Sequence, residues 1–274
     1  MQEKVVLALI GGLSRIIMRR GNEVSHEAMK KIYERIDINK TAIDRIRPFE
    51  GEYLRMLREY YRIGLTWTSN AIEGNSLTEM ETKILLEDGL TVGGKPLRDT
   101  FEALGHSAAF DYMFSLLECR QIVTEDVITF HNLFFKNIDE SSAGVWRKIN
   151  IIVTGSDYEF PAHDKLEGLM EGLEHWIKTE RDSMHPVVFA AILHLKFVTI
   201  HPYIDGNGRV ARLLMNTALI QDGYMLALIP PILRQEYMSA IRNYQLNGAE
   251  EPFCELIAER VLESEKEIMR LLKI

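Results

Sequence analysis

Within one short stretch, Ile200-His201-Pro202-Tyr203-Ile204-Asp205-Gly206-Asn207-Gly208-Arg209-Val210-Ala211-Arg212, the chain places a base, a carboxylate, two glycines and two arginines. His201 is the residue type whose unperturbed pKa suits proton abstraction near neutrality. Asp205 could hold a divalent cation, because hard oxygen ligands together with substrate phosphates are how Mg²⁺ is usually bound. Gly206 and Gly208 remove side chains where a phosphate would need to approach the backbone. Arg209 and Arg212, at i and i+3, project from neighbouring positions on one helix face and could grip successive phosphates of one nucleotide.

The elements on either side must hold this stretch in place. Pro186 to Ile200 reads as a buried helix, since Pro is favoured at a first helical position and Val187, Phe189, Ala190, Ile192, Leu193, Leu195, Phe197 and Val198 leave little polar surface. Pro202 cannot extend it. After a short connection, Gly208 or Arg209 starts a second apolar helix through Leu213, Leu214, Met215, Ala218, Leu219 and Ile220. Two arginines in the first turn of that helix face the positive end of its macrodipole, and are misplaced there unless something negative lies nearby. A lone His at a helix end is usually a cap or a satisfied core residue, and Asp-Gly-Asn-Gly alone is a common turn composition. A purely structural turn, however, needs neither paired cations at the wrong dipole end nor a base beside them.

Read as a pattern, His201 to Arg212 resembles the signature of the Fic family, written HPFx(D/E)GNGRxxR, with Tyr203 as its only departure. The resemblance implies a protein adenylyltransferase that moves AMP from ATP to a Tyr, Thr or Ser hydroxyl on a protein target. In that reaction His201 would accept the hydroxyl proton and Asp205 would orient Mg²⁺. Asn207 and the backbone of Gly206 and Gly208 would stabilise charge on the transferred phosphate, and Arg209 and Arg212 would hold the departing pyrophosphate portion. A helix from Tyr237 to Asn247 would bring Tyr237 towards the adenine.

A second match lies upstream. Ser69-Asn70-Ala71-Ile72-Glu73-Gly74 resembles (S/T)xxxE(G/N), the inhibitory motif of autoinhibited Fic proteins. Ser69 and Glu73 lie four apart and share a helix face, and Gly74-Asn75 is a plausible stop; from composition alone a capped surface helix reads equally well. Carried over, Glu73 would pair with Arg212 and prevent productive ATP binding, which places this chain in the class whose inhibitory helix is N-terminal. A carboxylate there would also satisfy a cation held in an empty phosphate pocket.

Between residues 144 and 161 the texture changes. Ile149, Ile151, Ile152, Val153 and Thr154 form the densest β-branched run, followed by a Gly155-Ser156-Asp157 turn and a return through Tyr158-Glu159-Phe160. This predicts a β-hairpin. By resemblance it is the flap on which a target's main chain adds as a strand, and Gly144-x-x-Arg147 resembles its usual beginning.

The remaining text is helical. Residues 2 to 62 are charged, with apolar contacts at Ile32, Ile36, Ile38, Ile43 and Ile46, and are expected to be an extension (1–65) packed on the core domain (66–274). Thr78-x-x-Glu81 reads as a capping box, Ala103–Leu117 and Val127–Phe135 as helices, and Pro252 as the start of the last one. His106, His131 and His194 read as packed or capping side chains, and none has metal-ligand spacing. The fold class is therefore all-α with one small hairpin flap.

With 274 residues, 46% hydrophobic and 26% charged, the chain is neither disordered nor fibrous. The net charge of −8 argues against a general nucleic-acid surface. Cys119 and Cys254 supply no disulfide framework and read as small, buried or half-buried side chains in a reducing compartment. Val5–Ile10 is too short to span a bilayer, so a cytoplasmic protein without membrane association is expected. Many relatives continue into a winged-helix domain; this sequence ends at Ile274, so no DNA-binding appendage is expected. A homodimer is compatible with the sequence. Two other activities stay open: removal of AMP from a modified protein with Glu73 orienting a water, and ATP sensing without turnover.

Overall fold

The computed structural model describes residues 27–91, 93–153 and 156–274, and its regular elements are helical. They are α1 (27–44), α2 (Gly51–Ile72), α3 (Glu79–Asp88), α4 (Leu97–Ser115), α5 (Thr124–Phe135), α6 (Leu166–Glu180), α7 (Pro186–Ile200), α8 (Asn207–Gln221), α9 (Arg234–Asn247) and α10 (Glu251–Leu272). The part of the expected N-terminal helix that falls on residues 1–26 lies outside the described residues.

Local signals explain most boundaries. α3 opens on the capping box, with the Thr78 hydroxyl accepting from the Glu81 N–H and the Glu81 carboxylate accepting from the Thr78 N–H. α7 begins at Pro186 with the His185 ring accepting from the Val187 N–H, and α10 carries Pro252 in its first turn. α7 is apolar around its circumference because it is surrounded by α6, α8, α9 and α10, and Val187, Phe189, Leu193, Leu195 and Phe197 are fully buried. α8 is packed between α7 on one side and α2, α4 and α5 on the other. Its start is thus the one place where α2, α4, α5 and α7 all come close.

Four expectations change. The boundary drawn at 65/66 falls inside α2, which runs unbroken from Gly51 to Ile72 and buries Leu57, Tyr61 and Leu65 in the same core as α7 and α8. α1 joins that core through Ile36 and Ile43, whereas Ile38 and Ile46 are exposed. Cys119 is exposed; only Cys254 is buried. The fourth concerns the flap: among the described residues of 149–161 no strand ladder forms. A turn bond from the Ser156 N–H to the Val153 carbonyl remains, and Ile152 stands 96% exposed. An isolated two-stranded ribbon is marginal in water, and here a side chain holds the segment instead. Arg147, almost fully buried, donates to the carbonyls of Ile149 and Pro161 and so clamps both ends.

Candidate active site

His201 closes α7 in a left-handed conformation, φ 54°, that non-glycine residues seldom adopt. Its backbone N–H donates to the Phe197 carbonyl, and its own carbonyl accepts from Arg147 Nε at 2.9 Å. The Arg147 N–H also donates to the Pro202 carbonyl, so the clamp on the flap is the clamp on the base. His201 Nδ1 lies 3.2 Å from the Val198 carbonyl. A carbonyl only accepts, so Nδ1 carries the hydrogen and Nε2 the free lone pair. Burial pushes the imidazole down to about 4, outweighing the Val198 carbonyl that pulls it up, with Arg147 adding to the depression. The ring is neutral near pH 7 and able to accept a proton.

The loop between α7 and α8 is tied to itself and to α5. The Asn207 amide accepts from the Tyr203 N–H at 2.9 Å and donates to the Tyr203 carbonyl at 2.8 Å, so it shapes the turn with one Nδ2 hydrogen and keeps the second. The side chain is 2% exposed. Tyr203 is fully buried, stacks on His131 with ring centroids 3.6 Å apart, and donates from its hydroxyl to the Val127 carbonyl. His131 Nδ1 accepts from the Gly144 N–H, so its Nε2 donates to the Asp205 carbonyl. His131 is therefore packed, as expected, and also joins the loop to the beginning of the flap. Gly206 sits at φ 83°, where a Cβ would also press on Phe134 and His131.

Each arginine already holds carboxylates. Arg209, over the face of Phe134, pairs with Glu102 at 2.9 Å and with Asp205 Oδ1 at 3.1 Å. Asp205 Oδ1 also accepts from the Gly206 N–H, and Oδ2 accepts from Arg98 at 2.5 Å. Loss of hydration would raise the Asp205 carboxyl, but Arg209, the Gly206 N–H and Arg98 hold it below its ordinary value. Arg212, 2% exposed, donates to the Ser69 hydroxyl and carbonyl, to the Tyr237 hydroxyl and, at 2.7 Å, to Glu73 Oε1. Glu73 caps α2, and a Cβ on Gly208 would collide with its Oε1, so the carboxylate rests on the first turn of α8. Desolvation would raise Glu73, yet Arg212 and then Arg209 keep its carboxyl low and charged.

The expected residues thus converge, with two adjustments. Arg209 and Arg212 do not face outward as a pair: Arg209 turns behind Asp205 and Arg212 turns to α2. Tyr237 is 1% exposed, with its hydroxyl on Arg212 and His194 rather than free for a base. A cavity of about 610 Å³ opens beside them, bounded by Glu73, Phe160, His201, Gly208, Arg234 and Tyr237, within the usual size of small-molecule sites. Val153 from the flap also borders it, whereas Ile151 and Ile152 do not. A larger groove of about 910 Å³ between α2 and α3 contains none of the motif residues.

Sequence reasoning missed Glu102, Arg98 and Arg234, and placed Arg147 only at the beginning of the flap. Glu102 accepts from Asn75 and Arg98 and forms an ion pair with Arg209, and Arg234 donates to the Ile72 carbonyl at the end of α2. The i, i+4 spacing of Arg98 and Glu102 was the one available signal. Among the described residues, no three His, Cys, Asp or Glu side chains are grouped to hold a metal alone. No described helix is long and apolar enough to cross a membrane.

Residues 121–219, from the start of α5 through most of α8, match the Fic/DOC family. The chain carries a Fic domain. The protein adenylyltransferase Fic of Drosophila grimshawi is 34% identical over 226 residues, 82% of this chain and 46% of that protein. The Drosophila melanogaster protein of the same name is 32% identical over 243 residues, 88% of this chain and 49% of its own. The chain spans about half the length of these curated relatives. Among solved structures, residues 134–508 of Fic-1 from C. elegans superpose with a TM-score of 0.82 at 26% identity, over 93% of this chain and 76% of that one. A Fic domain containing signaling protein from Bacteroides thetaiotaomicron shares the fold, with a TM-score of 0.76 at 24% identity over 89% and 97% of the two chains.

Proposed function

We propose that this Fic domain transfers AMP from ATP to a hydroxyl of a protein target and is held inactive by Glu73. The observation that carries the reading is the shared cavity: His201, with its free Nε2, and Glu73, seated on Arg212, line the same space. The name borne by the Drosophila relatives, protein adenylyltransferase, supports the reaction class.

In the reaction the target's hydroxyl oxygen attacks the α-phosphorus of ATP. A new O–P bond forms, the bond from the α-phosphorus to the α,β-bridging oxygen breaks, and pyrophosphate departs. His201 Nε2 takes the hydroxyl proton, and the Val198 carbonyl fixes the ring for this by holding Nδ1–H. The first N–H groups of α8 and the Arg212 guanidinium stabilise phosphate charge, the latter once Glu73 has left. Asp205 fits a hard divalent cation: its Oδ2 faces outward with only Arg98 on it, and one carboxylate plus substrate phosphates is the usual provision for Mg²⁺. When bound, Mg²⁺ would neutralise phosphate charge. The exposed Ile152 and the lack of a strand ladder among the described residues of the flap suit strand addition by a target segment, which would bring its hydroxyl near His201 with little reading of side chains.

The test is mass spectrometry of the protein and of a cell lysate after exposure to ATP and Mg²⁺, with wild type and Glu73→Gly side by side. A mass increment of one adenylyl group on a hydroxyl residue, stronger with Glu73→Gly, is expected. Nucleotide binding without any modification in either form would overturn transfer in favour of ATP sensing.

A further inference from the structure

Arg212 is gripped from three sides, and only one grip belongs to Glu73. Nε and Nη2 donate to the Ser69 hydroxyl and carbonyl at 2.9 and 2.8 Å, and Nη1 donates to the Tyr237 hydroxyl at 2.8 Å. A guanidinium offers its N–H donors in a rigid planar fork. Ser69 takes the edge shared by Nε and Nη2, and Tyr237 takes one hydrogen of Nη1. What is left is one hydrogen on each of Nη1 and Nη2, and the Nη2 hydrogen goes to Glu73 Oε1 at 2.7 Å. Withdrawal of Glu73 exposes a two-pronged donor suited to a phosphate, provided the other two grips hold.

The grip by Tyr237 depends on a further residue. Arginine only donates, so the Tyr237 oxygen accepts from it, and the phenol hydrogen must go to the other neighbour, His194 Nε2 at 2.8 Å. This fixes the tautomer of His194, with its hydrogen on Nδ1. Nδ1 is buried and has no hydrogen-bond partner among the described residues, which costs stability. The rest of the ring needs no histidine: it is fully buried and stacked on Phe253 at 4.6 Å, a space a flexible apolar side chain would fill. Burial, with the charge of Arg212 behind it, keeps the imidazole neutral, so the ring acts as an acceptor without placing a second cation beside Arg212. A histidine retained at a cost to packing points to a task other than packing.

We propose that His194 and Tyr237 are positioning residues, whose hydrogen-bond chain holds the open end of the Arg212 fork towards the triphosphate after Glu73 has left. The inference rests on the nucleotide reading above. Arg212 reaches phosphates beyond the α position in that reading, so the chain serves the triphosphate and not AMP.

All test variants are made in the Glu73→Gly protein, and calorimetry measures affinity for the β,γ-imido analogue of ATP, affinity for AMP, and Tm. His194→Met is expected to weaken the analogue about tenfold, the equivalent of one charge-assisted hydrogen bond to phosphate, with AMP affinity and Tm unchanged or Tm raised. Tyr237→Phe, which removes one oxygen and keeps the ring, should do the same. His194→Gln, whose Oε1 can accept the phenol hydrogen, should recover most of the affinity. A lowered Tm with unchanged analogue affinity would make His194 a core residue and overturn the proposal. Equal losses for AMP and the analogue would overturn it in favour of pocket shape, and unchanged affinities throughout would leave the chain without a role. Failure of the parent Glu73→Gly protein to bind the analogue is a different result, and sinks the nucleotide reading itself.

Discussion

His201 combines two features that a structural cap does not need: a left-handed backbone held by Arg147, and a ring whose hydrogen is committed to the Val198 carbonyl. Because the phosphate grip lies on other residues, His201→Ala should lower AMP transfer by roughly 10²–10⁴-fold, the usual worth of a general base, with ATP affinity and Tm little changed. A mutant that transfers AMP at the wild-type rate would remove the base from this position. Asp205 is the other residue whose role can be isolated. Its Oδ1 is committed to Gly206 and Arg209, so a cation would take Oδ2 in exchange for Arg98, an exposed partner whose ion pair is worth little. Asp205→Ala should therefore abolish the Mg²⁺ dependence of transfer together with most of the rate. A Mg²⁺ titration of the mutant that follows the wild-type curve would place the metal elsewhere.

At the scale of elements, the proposed regulation rests on the end of α2. Arg212 cannot hold the Glu73 carboxylate and a phosphate with the same N–H groups, so the two compete. Glu73→Gly should raise incorporation of labelled AMP on the order of tenfold or more, corresponding to a shift of about 1.4 kcal/mol towards the ATP-competent state. Arg212→Ala should lower it with Glu73 present or absent. Incorporation by Glu73→Gly no higher than wild type would return Ser69–Gly74 to an ordinary helix end. Loss of AMP removal in the same mutant would assign Glu73 to hydrolysis instead. This coupling was legible in the sequence because both partners sit in contiguous motifs. So were the bounds of α7, set by Pro186 and by an apolar run that only a surrounded helix can bury. Glu102, Arg98 and Arg234, and the clamping role of Arg147, were not legible: each acts across a tertiary contact, such as Arg98 to Asp205, and such contacts leave no periodic trace. Among the described residues the flap forms no strand ladder for a related reason. β-branched residues report a tendency to extend, whereas pairing depends on a second strand, and within this chain Arg147 provides the closure.

At the scale of the whole molecule, the core contains ionisable groups whose pKa values pull in opposite directions. His106 is pushed down to about 3, first by burial and then by Arg212 and Arg209, and burial also takes His131 and His201 down to about 4. The unfolded chain binds protons at these rings below about pH 6.5 while the folded chain does not, so stability falls as pH drops from about 6.5 towards 4. Glu265 on α10 behaves in the reverse sense. It is fully buried with no hydrogen-bond partner for either oxygen among the described residues, and burial, aided by Asp37, lifts its carboxyl to about 8 against the pull of Arg47 and Lys40. Between about 4.5 and 8 the folded chain keeps this proton and the unfolded chain loses it, so this group destabilises the fold as pH rises through that window. Below about 6.5 the histidines outnumber it; above, Glu265 acts alone among these groups. Tm should therefore pass through a maximum near pH 6.5 and decline on both sides. Glu265→Gln should flatten the decline between pH 6.5 and 8 and leave the acid limb in place, since these rings and the buried His194 remain. Calorimetric Tm measured from pH 4.5 to 8.5 on both proteins decides it, and an alkaline limb that persists unchanged in Glu265→Gln would show that Glu265 is ionised in the folded core.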